Sequence, residues 1–198
     1  MKILAFNDVH TDLAAVRALV ERAAEVDLVI GAGDFSAQHR NLDQTLSVLS
    51  AIDKPALLVA GNNETDAELR EAARGWKSAT VLHGETVEIN GERFFGLGGA
   101  AVTPWDWSFD LTEDEFETAL QKCPPGTVMI LHGPPFGCLD KFGDRNLGSP
   151  AVRNAVERLQ PPLVFCGHIH EHFGTTATIG DSRIINAGPK GTVISFPA

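Results

Sequence analysis

Cysteine is scarce in this sequence of 198 residues, and long apolar runs are missing. The three cysteines, Cys123, Cys138 and Cys166, are odd in number and form no C-x-x-C pair, which argues against a disulfide framework and a thiolate zinc site. No apolar run approaches the ~20 residues of a transmembrane helix, and the opening MKILAFNDVH lacks the apolar segment of a signal peptide. We therefore expect a cytoplasmic protein without a membrane partner.

Basic residues are also few: the sequence has 16 Lys and Arg but 26 Asp and Glu, which gives a formal net charge of −10. This balance argues against binding of a nucleic acid polymer through a basic face. A phosphate-bearing ligand would need an attraction other than side-chain charge. An apolar fraction of 43% suffices to fill a core. The length, with no repeat or linker, predicts a single domain spanning residues 1–198.

Short aliphatic runs alternate with amphipathic stretches along most of the chain, which is typical of an α/β fold. The runs predict buried strands at Lys2–Phe6, Asp27–Ile30, Ala56–Ala60, Thr127–Leu131 and Leu163–Cys166. Capping patterns and apolar spacing predict helices over Asp12–Ala24, Thr65–Ala73, Thr112–Gln121 and after Ser149-Pro150. Hairpin-like segments follow at 86–97 and 174–196. The fold is then α/β, with either one mixed sheet or two sheets packed face to face.

Polar side chains follow each of the five buried strands, at the point where the strand ends. Because the carboxyl ends of the strands in an α/β sheet border the crevice where sites are built, we expect these side chains to converge on one rim. They comprise two aspartates, one asparagine and four of the seven histidines: Asp8, His10, Asp34, Asn62, His132, His168 and His170.

Seven nitrogen and oxygen donors exceed what one catalytic ion with an open position uses, since such zinc sites have three protein ligands. Two ions with four protein ligands each are accommodated if one carboxylate bridges them, and paired ions are an established device for displacement at phosphorus. The donor types favour borderline divalent metals, Mn first, with Fe, Zn or Co as alternatives. Such ions would also give an acidic protein a local positive charge for phosphate.

These residues resemble the five ordered motifs of the calcineurin-like metallophosphoesterases, particularly the small single-domain Icc-like type of bacteria and archaea. The matching stretches run from residue 8 to residue 170, and each lies at a predicted strand end. They are Asp8-x-His10, Gly33-Asp34, Gly61-Asn62, His132 and Gly167-His168-x-His170.

The resemblance implies two packed mixed β-sheets flanked by helices and a dinuclear, metal-dependent phosphoesterase. It implies that a metal-bridging hydroxide attacks a phosphodiester or phosphomonoester in line with the leaving group. The small phosphate-ester substrate could be a nucleotide. The implied ligands are Asp8, His10 and His170 for one ion and Asn62, His132 and His168 for the other, with Asp34 between them.

One position departs from the family pattern: the third motif usually reads G-N-H, and here the histidine is replaced by Asn63. An amide can donate a hydrogen bond to a phosphoryl oxygen but cannot act as a general acid, a role worth ~10²–10⁴-fold. His39 and His172 are the candidates to supply that proton, or else are ordinary loop histidines. The departure also leaves open a catalytically weak or inactive interaction module of the same fold.

Two further features each allow two interpretations. Glu64 either caps the helix that follows it or orients a metal ligand. Trp105 and Trp107 lie in one aromatic-rich loop, where they either cover an apolar edge or form a wall of the substrate pocket that stacks on a base or aryl group.

Overall fold

Four of the five α-helices of the described residues begin where a capping side chain satisfies the first backbone N–H groups. A computed structural model describes residues 1–197. In it Asp12 accepts hydrogen bonds from the first turn of its helix, and Thr65 and Thr112 each form a capping box with the glutamate three residues later. The helices are α1 (Leu13–Ala23), α2 (Leu42–Leu49), α3 (Asp66–Ala73), α4 (Glu113–Leu120) and α5 (Pro150–Leu159), with a short 3-10 helix at His170–His172.

The strands are β1 (Lys2–Phe6), β2 (Leu28–Ala32), β3 (Ala56–Val59), β4 (Ala79–Val81), β5 (Glu85–Ile89), β6 (Glu92–Leu97), β7 (Ala100–Ala101), β8 (Asp110–Leu111), β9 (Val128–Leu131), β10 (Lys141–Phe142), β11 (Arg145–Asn146), β12 (Leu163–Cys166), β13 (Thr175–Ile179), β14 (Ser182–Asn186) and β15 (Thr192–Ser195). Most of them belong to two sheets. One sheet has five strands in the order β15-β1-β2-β3-β4, and the other has six in the order β13-β14-β12-β9-β6-β5. The interior neighbours β1–β2–β3 and β6–β9–β12–β14 are parallel.

The two sheets pack face to face between outer layers of helices. Alternate side chains of one strand point to opposite faces, so Ile3 of β1 joins the core between the sheets while Leu4 packs towards α1, α2 and α3. In the second sheet, Ile130 of β9 faces the central core and Met129 faces α4 and α5. The predicted fold of two mixed sheets flanked by helices is confirmed.

Some elements differ from the prediction. Helix α2 was not predicted, because no capping pattern precedes it. Its N-cap residue, Asn41, has a left-handed backbone, and its side chain makes no capping hydrogen bond. The last strand does not stay with the hairpin before it, since β15 pairs antiparallel with β1 in the first sheet while β13–β14 extend the second. No helix within the described residues is long and apolar enough to cross a membrane.

Candidate metal centre

The turns after β1, β2 and β12 adopt a backbone that few side chains tolerate. Asp8, His10, Asp34 and His168 have φ of 52°, 41°, 57° and 69°, in the left-handed region that is sparsely populated by residues other than glycine. Such conformations persist only where the surroundings enforce them, and they cluster at functional sites. All four are predicted metal ligands, and the sharp turns let the chain present several of them within a few residues.

Two glycines allow these turns to approach one another. A Cβ atom on Gly33, whose φ is +90°, would lie 2.4 Å from Nδ1 of His132, and one on Gly61 would lie 1.9 Å from Oδ1 of Asp34. Side-chain carbons cannot occupy such distances. The motifs Gly33-Asp34 and Gly61-Asn62 therefore need glycine before the ligand so that the ends of β2, β3 and β9 can meet.

The predicted ligands Asp8, His10 and His170 form what we call the open half of the cluster. Nε2 of His10 lies 3.1 Å from Nε2 of His170, and Oδ1 of Asp8 lies 3.7 and 3.6 Å from these two nitrogens. Nδ1 of His10 faces the Ser36 carbonyl at 3.1 Å. A proton on that Nδ1 leaves Nε2 with a free lone pair, as metal ligation requires.

The predicted ligands Asn62, His132 and His168 form the closed half. Oδ1 of Asn62 lies 3.3 Å from Nε2 of His132 and 3.0 Å from Nδ1 of His168. Nδ1 of His132 donates to the Ala32 carbonyl at 2.9 Å, so its Nε2 is the nitrogen directed into the cluster. His132 and Asn62 are buried.

Asp34 lies between the halves. Its Oδ2 is 3.5 Å from Nε2 of His10, and its Oδ1 is 3.6 Å from Nε2 of His132. One carboxylate thus faces both sets of imidazoles, the position that a bridging ligand needs. The structure brings all seven predicted ligands together.

The residues fit divalent cations. Asp8 and Asp34 are buried, and within residues 1–197 neither forms an ion pair with a lysine or arginine. Buried carboxylates in proteins are paired or coordinate a metal. The ligand atoms of Asp8, His10 and His170, and those of Asp8, Asp34 and His132, lie within 4.8 Å of one another in each group.

The electrostatics of the cluster also suit added positive charge. Burial raises the pKa of Asp34 to about 7, against the charge of His132 and with the help of Asp8 and Glu64. Burial acts in the same direction on Asp8, but a hydrogen bond with His170 and the charge of His132 outweigh it and lower the pKa of Asp8. The two carboxylates therefore compete for ionisation, a conflict that nearby cations remove.

A second set of side chains orients the ligands, and sequence reasoning missed most of it. Nδ2 of Asn62 donates to Oγ of Ser108 at 2.9 Å, and that hydroxyl donates to Oδ1 of Asp110 at 2.5 Å. This chain leaves the Asn62 oxygen as the atom that faces the cluster. Nδ2 of Asn7 donates to Oδ2 of Asp8 at 2.5 Å. Asn7 could have been predicted to lie at the site, because it is a polar residue directly after a buried strand.

Asn63 and Glu64 brace the two central turns. Nδ2 of Asn63 donates to Oδ2 of Asp34 at 2.8 Å, and its Oδ1 accepts from the Gln38 amide at 2.9 Å. The carboxylate of Glu64 accepts from the amides of Gly61 and Ser36 at 2.8 and 2.9 Å. Glu64 does not cap α3, because Thr65 does; it ties together the turns that carry Asp34 and Asn62.

The ring nitrogens of His39 and His172 contact residues other than the predicted ligands. The ring nitrogens of His39 face Glu68 Oε2 at 2.8 Å and the Trp107 carbonyl at 2.6 Å. Nε2 of His172 accepts from the Lys141 amide at 3.2 Å. Neither side chain lines the cleft over the cluster, so their suggested role as proton donors stays a prediction without geometric support.

A cleft of about 510 Å³ opens over the cluster. Asn63 lines it, as do the aromatic side chains of Trp105, Trp107 and Phe142. Of the two interpretations of the tryptophan loop, the structure therefore favours the pocket wall. Its lining also includes five of the predicted ligands: His10, Asp34, Asn62, His168 and His170.

A family model described as the calcineurin-like phosphoesterase superfamily domain matches residues 1–194. The chain belongs to this superfamily. Members of the calcineurin-like phosphoesterase superfamily are generally metal-dependent hydrolases with dinuclear divalent centres, and the convergent donors described above lie within the matched range.

Individual relatives agree with this assignment. A UPF0046 protein of Caenorhabditis elegans is 28% identical to this chain, and the alignment covers 94% of this chain and 69% of the relative. The crystal structure of TT1561 of Thermus thermophilus has a TM-score of 0.77 at 19% identity, over 96% of this chain and 90% of that one. A dimetal phosphatase of Danio rerio has a TM-score of 0.62 at 14% identity, over 93% and 86%. At these identities the two structures establish the fold alone.

Proposed function

We propose that this protein is a phosphoesterase that requires two divalent metal ions, Mn²⁺ foremost, and that hydrolyses small phosphodiesters or phosphomonoesters. The observation that carries the proposal is the position of Asp34, which is buried and whose two oxygens face the imidazoles of His10 and His132, while no lysine or arginine within residues 1–197 pairs with it. The superfamily membership and the dimetal phosphatase with a similar fold support it.

The predicted ligands would hold the two ions, and neighbouring side chains keep these ligands in position. The open half would hold one ion, the closed half the other, and Asp34 would contact both. Bound ions would polarise the phosphoryl group and supply the nucleophile from water. Asn63 holds the Asp34 carboxylate through its Nδ2, and Glu64 fixes the backbone turns on which Asp34 and Asn62 stand.

Asn63 bears on the class of ester. Both ends of its amide are hydrogen bonded within the protein, to Asp34 and to Gln38, and an amide is not a proton donor of useful acidity. We therefore propose that esters with good leaving groups are hydrolysed faster than alkyl esters, and we favour diesters as the natural substrates.

The test is hydrolysis by metal-stripped protein restored with Mn²⁺, comparing bis-p-nitrophenyl phosphate with p-nitrophenyl phosphate. Asp34→Asn is the decisive variant, because asparagine tolerates the left-handed backbone of this position while it removes the shared charge. Asp53→Asn is the matched control. Asp53 is exposed and lies before β3, whereas the predicted ligands lie after the strands.

We expect Mn²⁺-dependent turnover that Asp34→Asn abolishes and Asp53→Asn preserves. Absence of turnover with Mn²⁺, Co²⁺, Fe²⁺ and Zn²⁺, in protein that binds two ions, would contradict the proposal. It would favour an interaction module of the same fold. Aryl esters need little protonation of the leaving group, so Asn63 could not account for such a result.

A further inference from the structure

Three aromatic rings stand at the cleft, and two of them are exposed to an extent unusual for large apolar side chains. Trp105 is 50% exposed and Phe142 is 58% exposed. The Trp105 ring stacks on Trp107, with ring centroids 5.4 Å apart and planes 14° apart. All three line the same cleft as the predicted metal ligands. Clustered exposed apolar surface marks a binding surface more often than a chance arrangement.

The loop that carries the tryptophans, residues 103–109, is fixed by the protein itself. The Thr103 amide donates to Oδ2 of Asp110 at 2.6 Å, and the Phe109 amide donates to the Asn62 carbonyl at 2.9 Å. The Trp107 carbonyl accepts from His39. The stacked rings are therefore held in place before a ligand arrives, which lowers the entropic cost of binding.

Phe142 reaches the cleft from a separate element, the hairpin of β10 and β11. This hairpin contacts the 3-10 helix that begins at His170, through the hydrogen bond from the Lys141 amide to His172. The tryptophan loop is instead anchored at Asn62 and His39. The aromatic side chains thus reach the cleft from two separate elements, one bonded to the Asn62 carbonyl and the other to the 3-10 helix that contains His170.

The charge of the cleft restricts which ligand groups can lie against these rings. No lysine or arginine of the described chain lines it, whereas Glu171 does. A second phosphate or a carboxylate on the ligand would find no cationic partner outside the metal cluster. An uncharged planar ring would find flat apolar surfaces on which to stack.

We propose that Trp105, Trp107 and Phe142 form a subsite for a planar, uncharged aromatic group of the phosphoester, either an aryl ring or a nucleobase. The inference rests on the proposed function, because the phosphoryl group would occupy the metal cluster. It adds to that function a selectivity for aromatic over aliphatic esters, to which the half-exposed ring of Trp105 contributes.

The experiment measures binding by calorimetry to Mn²⁺-loaded protein, with phenylphosphonate and methylphosphonate as a matched pair. We expect the phenyl compound to bind about tenfold more tightly, the size that stacking on one aromatic side chain supports. Trp105→Ala should reduce this preference without weakening methylphosphonate binding, and Trp105→Phe should keep most of it. Val102→Ala, at an exposed residue outside the cleft lining, should change neither affinity.

Equal affinity of the parent protein for the two phosphonates would overturn the subsite, and so would an equal loss for both in Trp105→Ala. A preference for adenosine 5′-monophosphate over ribose 5-phosphate would assign the subsite to a nucleobase; a preference confined to the phenyl compound would assign it to an aryl ring. Turnover without aromatic preference would contradict this inference alone. Aromatic preference without turnover would contradict the proposed function alone.

Discussion

The two halves of the cluster differ in one ligand of the open half, His170, which the protein holds less firmly than the other ligands. In the closed half, His132 is anchored by the Ala32 carbonyl and Asn62 by Ser108. In the open half, the side chain of His170 is 53% exposed and stacks on Phe173, with ring centroids 4.7 Å apart. The closed half is therefore prepared by folding, whereas His170 gains its position from contacts that solvent can reach. We expect the closed half to bind its ion more tightly.

The comparison is tested most severely by removing one imidazole from each half. His132→Ala should lower turnover by more than about 100-fold, because even outer partners of metal ligands are worth about 10–100-fold. It should also lower the free energy of unfolding of metal-free protein by about 1–3 kcal/mol, since the buried Ala32 carbonyl loses its donor. Metal content and urea denaturation with chelator measure both effects.

His170→Ala is the matched variant. It should also reduce turnover, but it should lower the free energy of unfolding of the metal-free protein by less than His132→Ala does, because the side chain of His170 is 53% exposed and its interaction with Asp8 is open to solvent. If the two variants lose equal stability without metal, the distinction between a closed and an open half is wrong.

A smaller effect is expected from the hydrogen-bond chain behind the closed half. Ser108→Ala removes the acceptor of the Asn62 amide, so that the amide is no longer held with its oxygen towards the cluster. We expect metal affinity in the closed half to fall by about 10–100-fold, measured by competition with a chelator. Ser47→Ala, at an exposed serine of α2, is the control. Unchanged affinity in Ser108→Ala would show that Asn62 is oriented by its other contacts.

The same contrast shows which parts of the site the sequence could predict. Asp8, Asp34 and His132 each follow a buried aliphatic strand within a few residues, so local periodicity was enough to place them at one rim. Ser108 meets Asn62 across 46 residues, and no local pattern relates them. The side chain that orients a ligand was thus unpredictable where the ligand itself was predictable.

Some elements of the fold could likewise be predicted from the sequence, and others could not. The central strands and four of the helices carry signals in their own residues, such as the capping boxes of Thr65 and Thr112. The pairing of β15 with β1 joins the two ends of the described chain, and the short hairpin β10–β11 is exposed on both strands. Hydrophobic periodicity does not indicate which distant strands pair or where an exposed hairpin forms, so the partner of β15 and the β10–β11 hairpin were established only by the structure.

The smallest expected effect concerns the anchor of the tryptophan loop. Both ring nitrogens of His39 face acceptors, the Trp107 carbonyl and Glu68, and only the imidazolium can donate to both. The Trp107 hydrogen bond raises the pKa of His39, as does Glu68, while partial burial opposes them. The resulting stabilisation is complete below the unfolded pKa of about 6.5 and is lost as the pH rises through the higher folded pKa.

Replacing His39 by glutamine should therefore destabilise the protein more at about pH 5.5 than at about pH 8.5, with a difference below about 1 kcal/mol for so exposed a pair. Thermal unfolding of both proteins at the two pH values measures the difference. An equal destabilisation at both would mean that the neutral ring already holds the loop. The anchor of the aromatic wall would then be independent of pH, and selectivity for aromatic esters should persist unchanged above neutrality.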